Sequence, residues 1–186
     1  FVPHDIEGMK ALMGEDFFIQ ELELFFDRTT KDFLWSDYYN HPNEPDHHVP
    51  FLFNYSSKPW LTQKWTRQIC KVAYGDDVLG LCGNEDVGQM SAWYVLAACG
   101  LYPVCPGDTR YEISSPVFEK TEIQVGEGNT FIIRANRNTP ENTYIQSAKL
   151  NGMDYTRCYL DYKDIMKGGV LELEMGPTPD KTWGIE

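Results

Sequence analysis

The sequence has 186 residues, of which 28 are Asp or Glu and 16 are Lys or Arg, so its formal net charge is −12 at pH 7. This charge argues against nucleic acid or an anionic membrane surface as a partner, because binding phosphate groups needs clustered Lys and Arg. No stretch approaches the ~20 apolar residues of a membrane-spanning helix. Hydrophobic residues make up 42% of the chain, enough for a packed core in one or two compact units.

The first half of the chain predicts helices, because its apolar residues recur at steps of three and four. Asp5 is placed to cap the first of these helices. The four predicted helices cover residues 6–13, the stretch that follows Glu15, the stretch from Pro59 to Gly75, and residues 87–99.

Beyond about residue 105, alternation of apolar and polar residues replaces the helical spacing, and turn signals such as Asn151-Gly152 separate short apolar runs. This pattern is typical of an antiparallel β-sandwich. The chain therefore predicts an α + β fold, with helices over residues 1–105 and strands over residues 106–186. The predicted strands are residues 110–114, 121–125, 130–135, 144–150, 158–161 and 170–175.

The five cysteines are odd in number and contain no CxxC pair. We expect buried free thiols, although a disulfide stays open as an alternative. Neither their spacing nor that of the histidines predicts a zinc site. The triplet Asn54-Tyr55-Ser56 fits a glycosylation acceptor, but it lies in an apolar helical pattern and we interpret it as core.

Two acids, Glu85 and Asp86, lie in a glycine-flanked loop just ahead of the fourth predicted helix. Asp86 and Gln89 have the spacing of a capping box, in which the two side chains bond to backbone N–H groups at the helix start. A carboxylate at this place could also activate a water molecule. The two interpretations do not exclude each other.

A second polar cluster spans residues 43–48 and combines an amide, two acids and two imidazoles. Glu44 and Asp46 could bind calcium through oxygen, or Glu44 could bond to sugar hydroxyls. The alternative is a solvated turn in which Asp46 caps the next helix. His4 and Asp5 form a third polar site, for which helix capping by Asp5 is the alternative to a functional role.

Several runs of the sequence resemble segments of glycoside hydrolase family 92, the calcium-dependent inverting α-mannosidases, and they occur in the same order. The resemblance implies the last helices of an (α/α)6 barrel over residues 1–105 and strands of a β-sandwich over residues 106–186. The runs are Phe1 to Gly8, Asn43-Glu44-Pro45 with His47-His48, Phe51 to Tyr55 followed by Lys58-Pro59-Trp60, and Gly83 to Leu96 closing with Gly100 to Pro103.

The resemblance also implies a function, namely exo-hydrolysis of terminal α-linked mannose, often α-1,2-linked, with inversion. It implies Asp86 as the general base, with Glu85 as second choice. It implies substrate binding by Glu44, Asn43, His47, His4 and Asp5.

Because the chain begins Phe1-Val2-Pro3-His4-Asp5 without Met, we expect it to be cut from a longer polypeptide. The general acid is then expected upstream of Phe1, so the chain alone should be inactive.

The resemblance further implies Ca²⁺ as a cofactor. Its ligands are not assigned, with Asp86 and residues 43–48 as the candidates. The expected partners are mannose-containing glycans and the rest of the same polypeptide. The expected location is the periplasm or the outside of a bacterial cell.

Two other functions stay open. The β half could be a carbohydrate-binding or interaction module that stacks Tyr155, Tyr159 and Tyr162 on glycans, although tyrosines in strands are usually packed. The chain could also belong to another (α/α)6 enzyme, such as a glucosidase or a phosphorylase. The run over residues 84–90 argues against that reading.

Overall fold

A computed structural model describes residues 2–185 of the chain. Within them, helices dominate the first half and strands the second. The helices are α1 (Ile6–Met13), α2 (Glu15–Asp27), α3 (Trp60–Val72), α4 (Gln89–Cys99) and α5 (Tyr162–Met166), with 3-10 helices at Glu44–Asp46, Val49–Tyr55 and Gly126–Gly128. The strands are β1 (Leu101–Tyr102), β2 (Arg110–Ile113), β3 (Lys120–Gln124), β4 (Thr130–Asn136), β5 (Tyr144–Leu150), β6 (Met153–Asp154), β7 (Tyr159–Asp161) and β8 (Gly169–Gly176).

The helical half is held together by buried aromatic side chains. The ring of Phe26 in α2 stacks on Tyr39 and on Trp65 of α3, with ring centroids 4.9 Å apart in each pair. Trp93 of α4 is fully buried and stacks parallel to Tyr74. Because such rings bury large apolar areas, this cluster fixes α2, α3 and α4 against each other.

The strands form a three-stranded sheet of order β1-β2-β7 and a five-stranded sheet of order β3-β4-β8-β5-β6. Neighbouring strands run antiparallel as predicted, with one exception, since β4 and β8 are parallel. The chain returns to β8 only after β5, β6, β7 and α5, and a parallel pair requires such a long crossover. Residues Ile133, Leu171 and Leu173 of this pair lie in the core of the β half.

Polar contacts join the two halves. Asn54 is buried, and its Nδ2 lies 3.0 Å from Glu112 Oε2, Ile113 O and Cys158 O. The interpretation of Asn54 as core is therefore confirmed. The boundary near residue 105 stays a prediction, since the helical core includes Val104 while the core of the β half includes Leu101.

Most predicted elements form with small shifts at their ends. The helix predicted over residues 87–99 begins at Gln89 instead. Asp86, Val87 and Gly88 have φ of 44°, 58° and 89°, which a right-handed helix excludes. The predicted capping box is consequently wrong, because the N-cap residue is Gly88 and not Asp86, and glycine has no side chain to act as a cap. The short elements β1, β6 and α5 were not predicted.

None of the five cysteines forms a disulfide within residues 2–185. Cys70 and Cys158 are buried as expected, whereas the other three are half-buried. No helix in the described part of the chain is both long and apolar enough to cross a membrane.

Candidate active site

A cavity of about 460 Å³ opens where the 3-10 helix with Glu44 meets the turn with Asp86. Prolines and Val104 form its apolar wall, while Gln89 and Tyr102 add polar groups. The two polar clusters of the sequence, separated by about forty residues, thus meet at one site. A concave site with few polar groups on apolar walls is typical of small-ligand binding.

Glu44 and Asp86 face each other as a pair of carboxyl groups. The hydrogen bond between their side chains raises the pKa of Glu44 above its usual value, because two ionised carboxylates at this separation repel. Glu44 Oε1 is buried and receives no hydrogen bond from any donor in residues 2–185. The pair is therefore stable with one shared proton, or with a cation or ligand donor between the two groups.

The turn that carries Asp86 is strained. Asp86 and Val87 both adopt left-handed φ, and Val87 is a β-branched residue for which this conformation costs roughly 1–2 kcal/mol. Asp86 and Val87 are both exposed. Strain of this kind is found where a backbone must present a side chain in a fixed direction.

Glu85 anchors this turn to α4. Its Oε1 accepts a hydrogen bond from Ser91 N at 3.0 Å, and its Oε2 accepts one from Ser91 Oγ at 2.7 Å. The backbone O of Glu85 accepts from Met90 N at 3.2 Å. Glu85, the second choice for the base, thus has its carboxylate committed to Ser91, and it does not line the cavity with Glu44.

His47 is buried and does not itself line the cavity. Its Nε2 bonds to His41 O at 2.9 Å and its Nδ1 to Gln89 Nε2 at 3.1 Å. Burial lowers the pKa of the His47 imidazole. Because both ring nitrogens are engaged, the geometry gives His47 the role of orienting Gln89 and not of touching a sugar.

Asn43 and Asp46, also in the 43–48 cluster, have different surroundings. Asn43 is exposed beside Glu44. Asp46 Oδ2 accepts from Asn40 N at 3.2 Å. The predicted capping of the following helix by Asp46 is therefore wrong, since no side chain caps Val49–Tyr55.

His4 and Asp5 do not join the cavity. Asp5 Oδ1 accepts from Gly8 N at 2.8 Å and so caps α1, while the His4 side chain is exposed. The packing around Asp5 is tight, because a Cβ at Gly8 would overlap its carboxylate. The structural alternative for Asp5 is thus realised.

Gln89 and Tyr102 line the cavity, and sequence reasoning missed both as site residues. Gln89 lies three positions after Asp86, a spacing that predicts only helix capping. The proximity of Tyr102 to the site depends on the chain reversing after α4, which short-range spacing does not reveal.

The tyrosines proposed as a glycan-stacking surface are mostly engaged elsewhere. Tyr155 OH donates to Tyr159 O at 2.7 Å, and the Arg110 guanidinium lies 4.0 Å from the centroid of the Tyr159 ring. Tyr162 is 46% exposed. One exposed ring is not a stacking platform, so no observation favours this alternative.

No group of three His, Cys, Asp or Glu within residues 2–185 converges for a metal ion. Calcium takes six to eight oxygen ligands, and the cavity supplies the two carboxylates of Glu44 and Asp86.

Comparison with known proteins gives consistent matches over the chain. The family model for the glycosyl hydrolase family 92 catalytic domain matches residues 1–177. The chain is 34% identical to an uncharacterized secreted glycosidase from the fungus Arthroderma benhamiae, over 99% of the chain and 23% of that protein.

Solved structures match equally well. The GH92 alpha-mannosidase BT3965 from Bacteroides thetaiotaomicron superposes with a TM-score of 0.93 and 35% identity, over 100% of this chain and 25% of that one. The GH92 inverting mannosidase BT2199 from the same organism gives a TM-score of 0.89 and 35% identity, over 100% and 27% of the two chains. The chain thus spans about a quarter of the length of the relatives it matches.

Proposed function

Because the chain belongs to glycosyl hydrolase family 92, we propose that it is the part of an α-mannosidase that supplies the general base, Asp86. The full protein removes terminal α-linked mannose from glycans with inversion, and α-1,2 linkages are the first candidate substrate. The observation that carries this proposal is the exposed Asp86 carboxylate, held on a strained turn in a cavity that it shares with Glu44.

In this proposal Asp86 takes a proton from the water that attacks the anomeric carbon. The exposed Asp86 carboxylate is placed to accept that proton, while its hydrogen bond to Glu44 raises the pKa of Glu44. Glu44 binds a sugar hydroxyl through Oε1, the oxygen that has no hydrogen-bond partner in residues 2–185. Asn43, at the exposed edge beside Glu44, is placed to extend these contacts.

Glu44 and Asp86 cannot be the acid and base of an inverting pair. Inversion needs roughly 6.5–9.5 Å between the two carboxyl groups so that a water fits between sugar and base. Glu44 and Asp86 instead bond directly to each other. The general acid therefore comes from another part of the longer polypeptide.

Calcium stays a proposal from family membership. Glu44 and Asp86 are the oxygen donors that this segment offers to a hard cation, and the remaining ligands would come from the substrate and the rest of the polypeptide. The proposed location is the periplasm or the cell exterior, which the description of the fungal relative as secreted supports.

The decisive experiment changes Asp86→Asn in the full-length protein. We expect kcat on an aryl α-mannoside to fall by roughly 10²–10⁴-fold with little change in KM, because the amide cannot accept the proton from water. Added azide, which needs no base, should restore turnover and give the β-mannosyl azide. Proton NMR of the wild-type reaction should show β-mannose as the first product, and EDTA should abolish turnover if calcium takes part.

The matched control is Asp76→Asn, which changes an exposed acid outside the cavity. It should retain wild-type kcat. Near-normal turnover of the Asp86→Asn protein would reject Asp86 as the base.

A further inference from the structure

We propose that Gln89 is a substrate-binding residue whose side-chain oxygen accepts a hydrogen bond from a sugar hydroxyl, with its orientation fixed by His47. This inference rests on the proposed function, since it assigns a further contact in the same cavity. The evidence is the pattern of hydrogen bonds around the Gln89 amide.

The protonation of His47 follows from its partners. A carbonyl oxygen can only accept, so His47 Nε2 carries the hydrogen that it shares with His41 O at 2.9 Å. His47 is only 1% exposed and neither of its ring nitrogens bonds to an acidic group, so nothing nearby stabilises a charged imidazolium and the ring is neutral. A neutral imidazole has one N–H, and His47 Nδ1 is therefore an acceptor.

The orientation of the Gln89 amide follows in turn. An acceptor at His47 Nδ1 requires the amide nitrogen of Gln89, which lies 3.1 Å away and also donates to Tyr102 OH at 3.3 Å. Flipping the amide would place two acceptors against each other. Both N–H groups of the Gln89 amide therefore bond to protein atoms. The Gln89 oxygen lies on the other side of the amide group.

The Gln89 oxygen is available to a ligand. No donor in residues 2–185 bonds to it, yet it is not among the buried polar atoms that lack partners, so solvent reaches it. Gln89 also lines the cavity that holds Glu44 and Asp86. An accessible acceptor without a donor, in a cavity with two carboxyl groups, is suited to a ligand that presents several hydroxyl donors.

The test measures kcat/KM of the full-length protein with Gln89→Met on an aryl α-mannoside and on its 2-, 3-, 4- and 6-deoxy analogues. Methionine preserves the length of the side chain without hydrogen-bonding groups. We expect a loss of roughly tenfold on the parent substrate. The loss should shrink to less than about twofold on the one analogue that lacks the hydroxyl bound by Gln89.

The matched control is Gln146→Met. The amide nitrogen of Gln146 also donates two hydrogen bonds, to Tyr144 O and Thr178 O, but this residue lies in β5 outside the cavity. It should leave kcat/KM unchanged on every substrate. If Gln89→Met does not fold, Gln89→Asn takes its place, since it keeps the amide and withdraws the oxygen.

Two outcomes separate the inference from the proposed function. An equal loss on all five substrates would overturn the role of the Gln89 oxygen while leaving the mannosidase intact. If the wild-type protein cleaves no α-mannoside, the proposed function fails, and calorimetric titration with mannose, glucose and galactose decides about Gln89. A sugar whose affinity falls with Gln89→Met but not with Gln146→Met would support the inference, and the absence of such a sugar would overturn it.

Discussion

Glu85 and Asp86 are adjacent acids with separate surroundings. Glu85 places both carboxylate oxygens on Ser91, whereas Asp86 is exposed in the cavity opposite Glu44. The sequence alone does not show which of the two is the general base. The structure assigns Glu85 to the support of the turn, because both of its carboxylate oxygens bond to Ser91 and it does not line the cavity.

Glu85 should therefore behave as a positioning residue. Glu85→Ala removes the contact with Ser91 and should lower kcat about tenfold by loosening the turn under Asp86. Glu85→Gln keeps one acceptor for Ser91 N and should recover most of this activity. The measurement is kcat as a function of pH. The shape of this pH profile should match that of the wild type, because Asp86 remains the base.

Ser91→Ala supplies the matching control. Because Glu85 and Ser91 act through one contact, the double variant Glu85→Ala with Ser91→Ala should be no worse than Glu85→Ala alone. Additive losses would contradict a positioning role through Ser91. Loss of activity in Glu85→Gln as large as in Asp86→Asn would make Glu85 the base.

At the scale of elements, helix α4 shows what the sequence could and could not predict. Its end at Gly100 was predicted, and Gly100 has φ of 95°, a conformation that favours glycine. Its start was misplaced by two residues, because Val87 prefers right-handed or extended backbone and gives no signal for φ of 58°. The site residue Asp86 directly precedes that misplaced segment, residues 87–88.

For the strands, too, the sequence predicts some features and not others. The bounds of β5 agree with the predicted 144–150, since its apolar and polar residues alternate between clear turns. Alternation does not show which neighbour a strand has, so the parallel pairing of β4 with β8 was not predicted. Likewise, local patterns located Glu44 and Asp86, but only the fold brings Gln89 and Tyr102 beside them.

The strained turn before α4 predicts that replacing valine by glycine changes the free energy of unfolding in opposite directions at two positions. Val87→Gly should raise the free energy of unfolding by about 0.5–1 kcal/mol, because glycine adopts left-handed φ without steric cost. Val95→Gly, at a 57% exposed position inside α4, should lower that free energy by about 0.5–1 kcal/mol. Urea denaturation of both variants measures the difference. If Val87→Gly instead lowers the free energy of unfolding, the backbone of Val87 is not strained in the wild-type protein.

At the scale of the whole molecule, burial of histidines links stability to pH. His41 is fully buried between Tyr39 and Tyr74, at 2.8 Å and 2.7 Å from their hydroxyls, and stacks on His47. Tyr74 OH donates to Met90 O, so His41 Nε2 donates to Tyr74 and His41 Nδ1 accepts from Tyr39. Burial, with a smaller effect from His47, lowers the pKa of His41 to about 2.

The sign of the pH effect follows from where the proton binds. The unfolded chain protonates His41 near pH 6.5, whereas the folded protein keeps it neutral down to about pH 2. The contribution of His41 to stability is therefore complete above pH 6.5 and decreases as the pH falls toward the folded pKa. Between pH 7.5 and 5.5, protonation of His41 in the unfolded chain should lower the free energy of unfolding by about 1.4 kcal/mol.

Chemical denaturation of the chain at pH 7.5, 6.5 and 5.5 tests this linkage. His41→Gln should be less stable at pH 7.5, because it disrupts the contacts with both tyrosines, but its stability should fall less steeply with pH than that of the wild type. Ile69→Val is the control, since deleting one buried methylene costs about 1 kcal/mol without removing a titrating group. Its pH dependence should parallel the wild type. If the stability of His41→Gln falls with pH as steeply as that of the wild type, the imidazole of His41 accepts a proton in the folded protein. The buried, neutral network that orients Gln89 through His47 is then not maintained at acid pH.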